Sequence, residues 1–355
     1  MSVFDIHEDI TRARTIGSAF YSDPDFYESS LDKIFARSWQ FVCPALEVNN
    51  LRPHLFLEGS IDEPLLFSKA GQDRIRCVSN VCTHRGAILV ESPCKADLIR
   101  CGYHGRRFTL DGKFLSMPEF EGVKDFPTDE DDLNHVQSAV WNGILLCSLD
   151  PMHEIELYME GLDSPLAGFD FQALRFVSAK DYYLNAHWAL YCENYVEGFH
   201  IPYVHPGLNR EVDYGSYKTE LFRFSSVQTA RSGSEGESEP ESPEPFANGV
   251  AALYCFVFPN LMLNFYPWGL SVNIVQPLGP ARTRVRYLTY VSDETKTGKG
   301  AGTDLDMVEL EDQAVVESVQ QGIRSRFYDS GRYSPERETG THHFHRLIAE
   351  FLTEG

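Results

Sequence analysis

The chain of 355 residues is poor in positive charge: 31 Lys and Arg stand against 52 Asp and Glu, a formal net charge of −21. A surface of that sign repels phosphate backbones and anionic lipid, so neither nucleic acid nor a membrane is expected as a partner. The first residues, MSVFDIHEDITRAR, show no apolar leader core and no small-residue cleavage site, and a cytoplasmic protein is expected. Long apolar runs are also scarce. Residues 248–281 carry no charge, but Pro259, Asn260, Asn264 and Pro267 divide them into short pieces that read as buried strands, not a spanning helix. There is no G-x-G-x-x-G fingerprint and hence no expected nicotinamide or flavin site within the chain. The eight cysteines (43, 77, 82, 94, 101, 147, 192 and 255) are spread too widely for a secreted disulfide framework. In a reducing compartment, closely spaced Cys and His point to metal.

What is present falls into three parts. Residues 1–40 read as helical pieces, with Phe26, Leu31, Ile34 and Phe35 on an apolar face behind Asp or Ser caps. Residues 41–150 are short β-like runs divided by Gly, Pro and Asp turns, a small all-β domain. Residues 151–355 mix strands with helices, one of them from about 304 to 327, giving an α+β domain. Within it, residues 231–245, RSGSEGESEPESPEP, cannot bury a core and are expected to form a flexible surface loop.

Inside the β domain, "CTHRG" (Cys82–Gly86) is followed by "CGYHG" (Cys101–Gly105). Each knuckle offers one thiolate and one imidazole, Cys82 with His84 and Cys101 with His104. One tetrahedral zinc could use these four ligands, although zinc modules more often pair Cys with Cys and His with His. A Rieske [2Fe-2S] cluster has one iron on two Cys and the other on two His, and so asks each loop for one ligand of each kind. The pattern favours the cluster, which suits one-electron relay.

A second candidate centre lies in "ENYVEGFHIPYVH" (Glu193–His205). His200 and His205 are about 140° apart on an ideal helix, so they share a metal only if the helix distorts or ends between them, as Pro202 would allow. A third ligand is suggested by the helix around residue 312. Its apolar positions run Leu305, Val308, Val315, Val319 and Ile323, and Asp312 occupies the gap. A carboxylate on a buried face must be paired, protonated or bound to metal. The neighbouring Glu309, Glu311 and Glu317 are expected to be solvated. His200, His205 and Asp312 would form a facial triad that leaves positions open on a non-haem Fe(II).

Together these motifs resemble the α-subunits of Rieske non-haem iron oxygenases over nearly the whole chain. "SVQQGIRSRFYDSGRYSPERETGTHHFH" is similar to the C-terminal pattern of the choline, glycine-betaine and carnitine monooxygenase branch. Respiratory Rieske proteins have two further Cys in the ligand loops where this chain has Ala87 and Tyr103, so the resemblance is to the oxygenase type. It implies an all-β Rieske domain followed by a helix-grip (START/Bet v1-like) catalytic domain with an antiparallel sheet. It also implies the N-terminal segment packing with the catalytic domain, Cys82, His84, Cys101 and His104 on the cluster, and His200, His205 and Asp312 on the iron. Glu197, three residues before the first iron-binding His, would bridge a cluster histidine of one subunit to an iron histidine of the next in a homotrimer. Many members have Asp there, and many have Trp where this chain has Arg106.

The implied activity is oxygen-dependent hydroxylation of a small quaternary ammonium or N-methylated amine, with N-demethylation where the carbon attached to nitrogen is attacked. Electrons would come from NAD(P)H through a separate reductase or ferredoxin. Phe199, Tyr203, Tyr254, Phe256, Phe265, Tyr266 and Trp268 are candidates for the substrate pocket, since aromatic faces attract quaternary ammonium groups. The same residues suit a planar ring or simple core packing. An aromatic ring hydroxylase or O-demethylase, or an electron carrier without catalysis, are therefore the alternatives. His342, His343 and His345 read as structural or interfacial.

Overall fold

The computed structural model describes residues 3–69, 74–211, 213–232, 245–247, 249–296 and 305–354. The expected loop at 231–245 falls outside them except at Arg231, Ser232 and Pro245. The chain divides into two compact units, Ala36–Met152 on one hand and Met1–Phe35 with His153–Gly355 on the other. Among the described residues no helix is long and apolar enough to cross a membrane.

The Ala36–Met152 unit is all β. Strands β1 (Gln40–Pro44), β2 (Leu51–Phe56), β3 (Glu63–Ser68) and β4 (Arg76–Ser79) come first. A small sheet follows, of β5 (Ile99–Arg100), β6 (Arg107–Phe108) and β7 (Phe114–Ser116), and then β8 (His135–Trp141) and β9 (Ile144–Ser148). The larger sheet has the order β1-β9-β8-β4-β3-β2. Leu66, Val78, Phe108 and Leu133 are buried in one cluster with Cys82 and Cys101, so the hydrophobic core of this unit is built up against the two ligand loops. The first loop leaves β4 and the second joins β5 to β6.

The other unit centres on a seven-stranded antiparallel sheet of β10 (Arg175–Leu184), β11 (Lys218–Leu221), β12 (Ser225–Arg231), β13 (Val250–Val257), β14 (Leu261–Tyr266), β15 (Gly269–Gly279) and β16 (Arg282–Val291), in the order β10-β16-β15-β14-β13-β12-β11. The uncharged segment thus supplies β13 to β15, the centre of the sheet, which explains why it is apolar without alternation. The helix Trp188–Tyr195 contacts both β15 and the long helix Leu305–Gly322. His187 caps it, accepting the Ala189 N–H on Nδ1. Helix Pro24–Ser30 begins with Asp23 as cap and Pro24 at its first position, and the turn after it buries Leu31, Ile34 and Phe35.

The long helix ends at Gly322, short of residue 327, and its buried line differs from the expected one. Glu309, Val316, Gln320 and Ile323 are buried, whereas Val319 is 42% exposed. The face is rotated because two polar residues on it find partners: Glu309 accepts from Tyr191 and Tyr287, and Gln320 accepts the His187 N–H. Glu317 is not simply solvated either, since it accepts from the Asn185 backbone and side chain.

Candidate metal centres and active-site cavity

The two Cys-His loops have the same local build. In each, a glycine N–H four residues on returns to the cysteine carbonyl, Gly86 to Cys82 at 3.0 Å and Gly105 to Cys101 at 3.2 Å. Both glycines have positive φ, +71° and +74°, a conformation that side chains disfavour. Cys82 and Cys101 are buried and the His84 and His104 rings lie 4.8 Å apart in an edge-to-face arrangement. Burial holds the Cys82 thiol above its ordinary pKa, and Cys101 beside it adds to the effect. Desolvation and the neighbouring His104 hold His84 below its ordinary value. His104 Nδ1 is buried with no hydrogen-bond partner among the described residues. A buried ring nitrogen without a partner costs free energy unless it binds metal, so two thiols and two imidazoles in this arrangement fit a Rieske cluster.

Arg106, just after the second loop, is 2% exposed. It pairs with Asp131 at 2.6 Å and lies 4.9 Å from the Phe114 ring centroid, so a planar cation takes an aromatic environment here.

The second centre is assembled by three elements of the larger unit. Helix Trp188–Tyr195 is followed by a turn through Glu197 and Gly198 into the single helical turn Ile201–Val204, with His200 and His205 at its two ends. The helix therefore ends between the histidines, and Pro202 sits in its first turn. A side chain at Gly198 would come within 2.7 Å of the Tyr217 ring, so only glycine admits this approach. Asp312 comes from the long helix.

His200, His205 and Asp312 each bring a ligand atom within 4.8 Å of the others. His205 Nε2 is 3.0 Å and His200 Nε2 3.6 Å from Asp312 Oδ1. The remaining ring nitrogens are engaged by carboxylates: His200 Nδ1 lies 2.6 Å from Glu197 Oε1, and His205 Nδ1 lies 2.7 Å from Glu311 Oε2. Asn194 donates to Asp312 Oδ1 at 2.7 Å. Burial pulls the His205 pKa down, but its hydrogen bonds to Asp312 and Glu311 outweigh this and leave it raised. Carboxylates behind both histidines orient ring nitrogens toward a common point, as metal-binding imidazoles are usually held. These residues fit a mononuclear iron. Glu311, expected to be solvated, is thus part of the centre, and Glu193 pairs with Tyr21 and His345.

Beside the triad lies a cavity of about 120 Å³. Its sheet wall carries Tyr254 on β13, Asn264 and Tyr266 on β14, Asn273 on β15 and Tyr287 on β16. Tyr254 is paired with Asn264 and Asn273 with Tyr287, which puts these side chains on one face. Tyr191, Asn194 and Tyr195, then Val308 and Glu309, complete the helical side.

Of the seven expected pocket aromatics, Tyr254 and Tyr266 line this cavity. Phe265 points to the opposite sheet face, against Phe169 and Phe171. Phe256 shares the face of Tyr254 but lies further along β13, edge-on to Phe344 of the C-terminal helix. Trp268 stacks on Tyr266 without reaching the wall. Phe199 and Tyr203 are 38% and 78% exposed. The sequence reading missed Tyr191, Tyr287 and Glu309. Tyr287 had a signal, as it falls on the alternating face of a strand; Glu309 had one in its position three before Asp312.

Comparison with known proteins agrees with this geometry. Residues 38–127 match the Rieske [2Fe-2S] domain family, and residues 171–354 match the family described as ring hydroxylating alpha subunit (catalytic domain). The chain belongs to the α-subunits of Rieske non-haem iron oxygenases. It is related to the choline and carnitine monooxygenases. It is 31% identical to the chloroplastic choline monooxygenase of Arabidopsis thaliana, with 97% of this chain and 84% of that protein covered. It is 28% identical to the carnitine monooxygenase oxygenase subunit of Escherichia coli (strain K12), covering 96% and 95%. In fold it matches a solved quaternary ammonium Rieske monooxygenase with a TM-score of 0.78 at 23% identity, covering 98% of both chains. Naphthalene 1,2-dioxygenase from Rhodococcus sp. follows at 0.75 and 17%, covering 96% and 95%. The chain is thus an oxidoreductase with a Rieske [2Fe-2S] domain and a His-His-Asp candidate site for mononuclear iron.

Proposed function

We propose that this oxygenase hydroxylates a small quaternary ammonium or N-methylated amine, with electrons passed from NAD(P)H by a separate reductase or ferredoxin. The observation that carries this reading is the cavity beside His200, His205 and Asp312, which tyrosines and the buried carboxylate of Glu309 line together. Tyrosine faces and carboxylates are the protein groups that favour a cation without hydrogen-bond donors. Relatives at about this similarity are named for choline and carnitine.

When bound, the cluster at Cys82, His84, Cys101 and His104 supplies single electrons, and iron at His200, His205 and Asp312 supplies activation of O2. The protein contributes position. Glu197 and Glu311 hold the Nδ1 protons of the two histidines so that Nε2 stays free as donor, and Asn194 fixes the Asp312 oxygen. Burial keeps the tyrosine hydroxyls protonated, with Tyr254 pushed up to about 12, so the wall does not gain charge as the site works. For choline the balance is substrate, O2, two electrons and two protons in, and the aldehyde hydrate and one water out. For a betaine, hydroxylation of an N-methyl carbon gives a hemiaminal that releases formaldehyde.

Two further parts complete the proposal, the first of them resting on the family. The first is a homotrimer in which Glu197 links the cluster of one subunit to the iron of the next; the hydrogen bond from Glu197 to His200 supports one half of that link. The second is a cytoplasmic setting, which rests on the sequence alone: its cysteines are spread too widely for a disulfide framework, whereas the plant choline monooxygenases it resembles are chloroplastic. The purified protein with a reductase and NADH should consume O2 on addition of choline, glycine betaine or carnitine. Consumption with aromatic acids and with none of the amines would replace this reading by that of a ring hydroxylase.

A further inference from the structure

The cavity beside the triad has an uneven charge. Of the described groups that line it, Glu197, Glu309 and Asp312 are acids and His200 and His205 are imidazoles; none of them is a lysine or arginine. Lys296 is held over the Trp268 ring, 5.3 Å from its centroid, and is not in the wall. Three of the ionisable groups, His200, His205 and Asp312, are committed to metal, and Glu197 is committed to His200. Glu309 is different. It is 2% exposed, lies one helical turn before Asp312, and its hydrogen bonds go to Tyr191, Tyr287 and Gln313 instead of the triad.

Its contacts form a built site. Oε2 accepts from the hydroxyls of Tyr191 and Tyr287, which are themselves 2.8 Å apart, and Oε1 accepts from Gln313 at 3.0 Å. Three donors with no counter-ion among the described residues are an expensive way to bury a carboxylate, and burial accordingly pushes its pKa up to about 7 despite those hydrogen bonds. A cation in the cavity would remove that cost. A second carboxylate there would add to it, since a low-dielectric wall screens like charges poorly and, apart from the metal site, its described residues offer no guanidinium or ammonium to receive it.

We propose that Glu309 is the counter-ion for the substrate's ammonium group and that the substrate is a monocation without a carboxylate, an amino alcohol of the choline kind, in preference to a zwitterion such as glycine betaine or carnitine. This rests on the quaternary ammonium reading above and narrows it.

Binding of choline, glycine betaine, L-carnitine and 3,3-dimethyl-1-butanol to the full-length holoenzyme, measured by anaerobic calorimetry, tests it. The last is the uncharged carbon isostere of choline. Wild type should bind choline on the order of ten-fold or more tightly than either zwitterion. Glu309→Gln keeps the shape and the tyrosine contacts, and should weaken choline by roughly ten-fold while moving the isostere by less than about two-fold. The isostere thereby reports whether the variant retains its fold. Equal binding of a zwitterion and choline by wild type would overturn the proposal. So would a Glu309→Gln variant that loses choline and isostere alike, or neither. If a zwitterion binds and choline does not, Glu309 loses its role but the quaternary ammonium reading stands; if no ammonium compound binds, both fall.

Discussion

Glu311 Oε2 lies 2.7 Å from His205 Nδ1, and this contact turns the other ring nitrogen of His205 toward Asp312, the next residue on the same helix. Adjacent helix positions point about 100° apart, so one turn of the helix grips the imidazole from two sides. Replacing Glu311 by Ala should therefore weaken iron binding by about 10–100-fold, the usual cost of losing the group behind a ligating histidine. Competition against a chelator checks this; the Rieske spectrum should not change.

Glu197 serves two purposes in the proposal, holding His200 and linking subunits. Glu197→Gln can still accept the His200 proton but cannot carry charge. It should retain iron and cluster yet lose roughly ten-fold or more in reductase-driven turnover, because the electron path is lost while the ligand geometry is kept. Loss of iron in step with activity would reduce Glu197 to a positioning residue.

Arg106 buries a planar cation against Asp131 and three phenylalanines of the smaller unit. Arg106→Met leaves Asp131 with its Thr128 donors but without its counter-ion, at a site where the carboxylate is only 18% exposed. The expected loss is about 3 kcal/mol, near the lower end for breaking a buried pair. Denaturant unfolding followed by the cluster's visible absorbance measures it, and an unchanged midpoint would mean that the pair contributes nothing.

Three histidines should make the protein acid-sensitive. Burial lowers His187 to about 3 and His54 and His343 to about 4. Each folded value lies below the unfolded value near 6.5, so the stability given by the neutral form is complete above that pH and lost as the pH falls toward the folded value. From pH 8 to 5.5 each contributes a loss on the order of 1 kcal/mol. His187→Asn keeps a capping side chain but cannot titrate, and its urea midpoint should fall less over that range than that of wild type.

The parts of this molecule that were readable in the sequence were those where chemistry is written locally. Cys82, His84, Cys101 and His104 stand in two short loops, and His200 and His205 flank one proline-bearing turn. Asp312 could be read from a distance because a carboxylate interrupted an apolar helical stripe. The same stripe was misread by one position, since hydropathy counts Glu309 and Gln320 as solvent residues although tyrosine hydroxyls and a backbone N–H meet them inside. The cavity wall was legible only in part for a similar reason. Alternation puts Tyr254 and Tyr266 on the site face and Phe265 on the other, but how far along β13 the site extends depends on which distant elements pack over it, which no local pattern contains.

The central claim is that one chain holds both a Rieske cluster and a catalytic iron at His200, His205 and Asp312. Iron and acid-labile sulfide measured together on the purified protein test it most directly. Wild type should contain about three irons and about two sulfides per chain, and Asp312→Ala about two of each with the Rieske spectrum intact. About two irons in wild type reconstituted with excess ferrous iron, unchanged by Asp312→Ala, would leave an electron carrier and contradict the account.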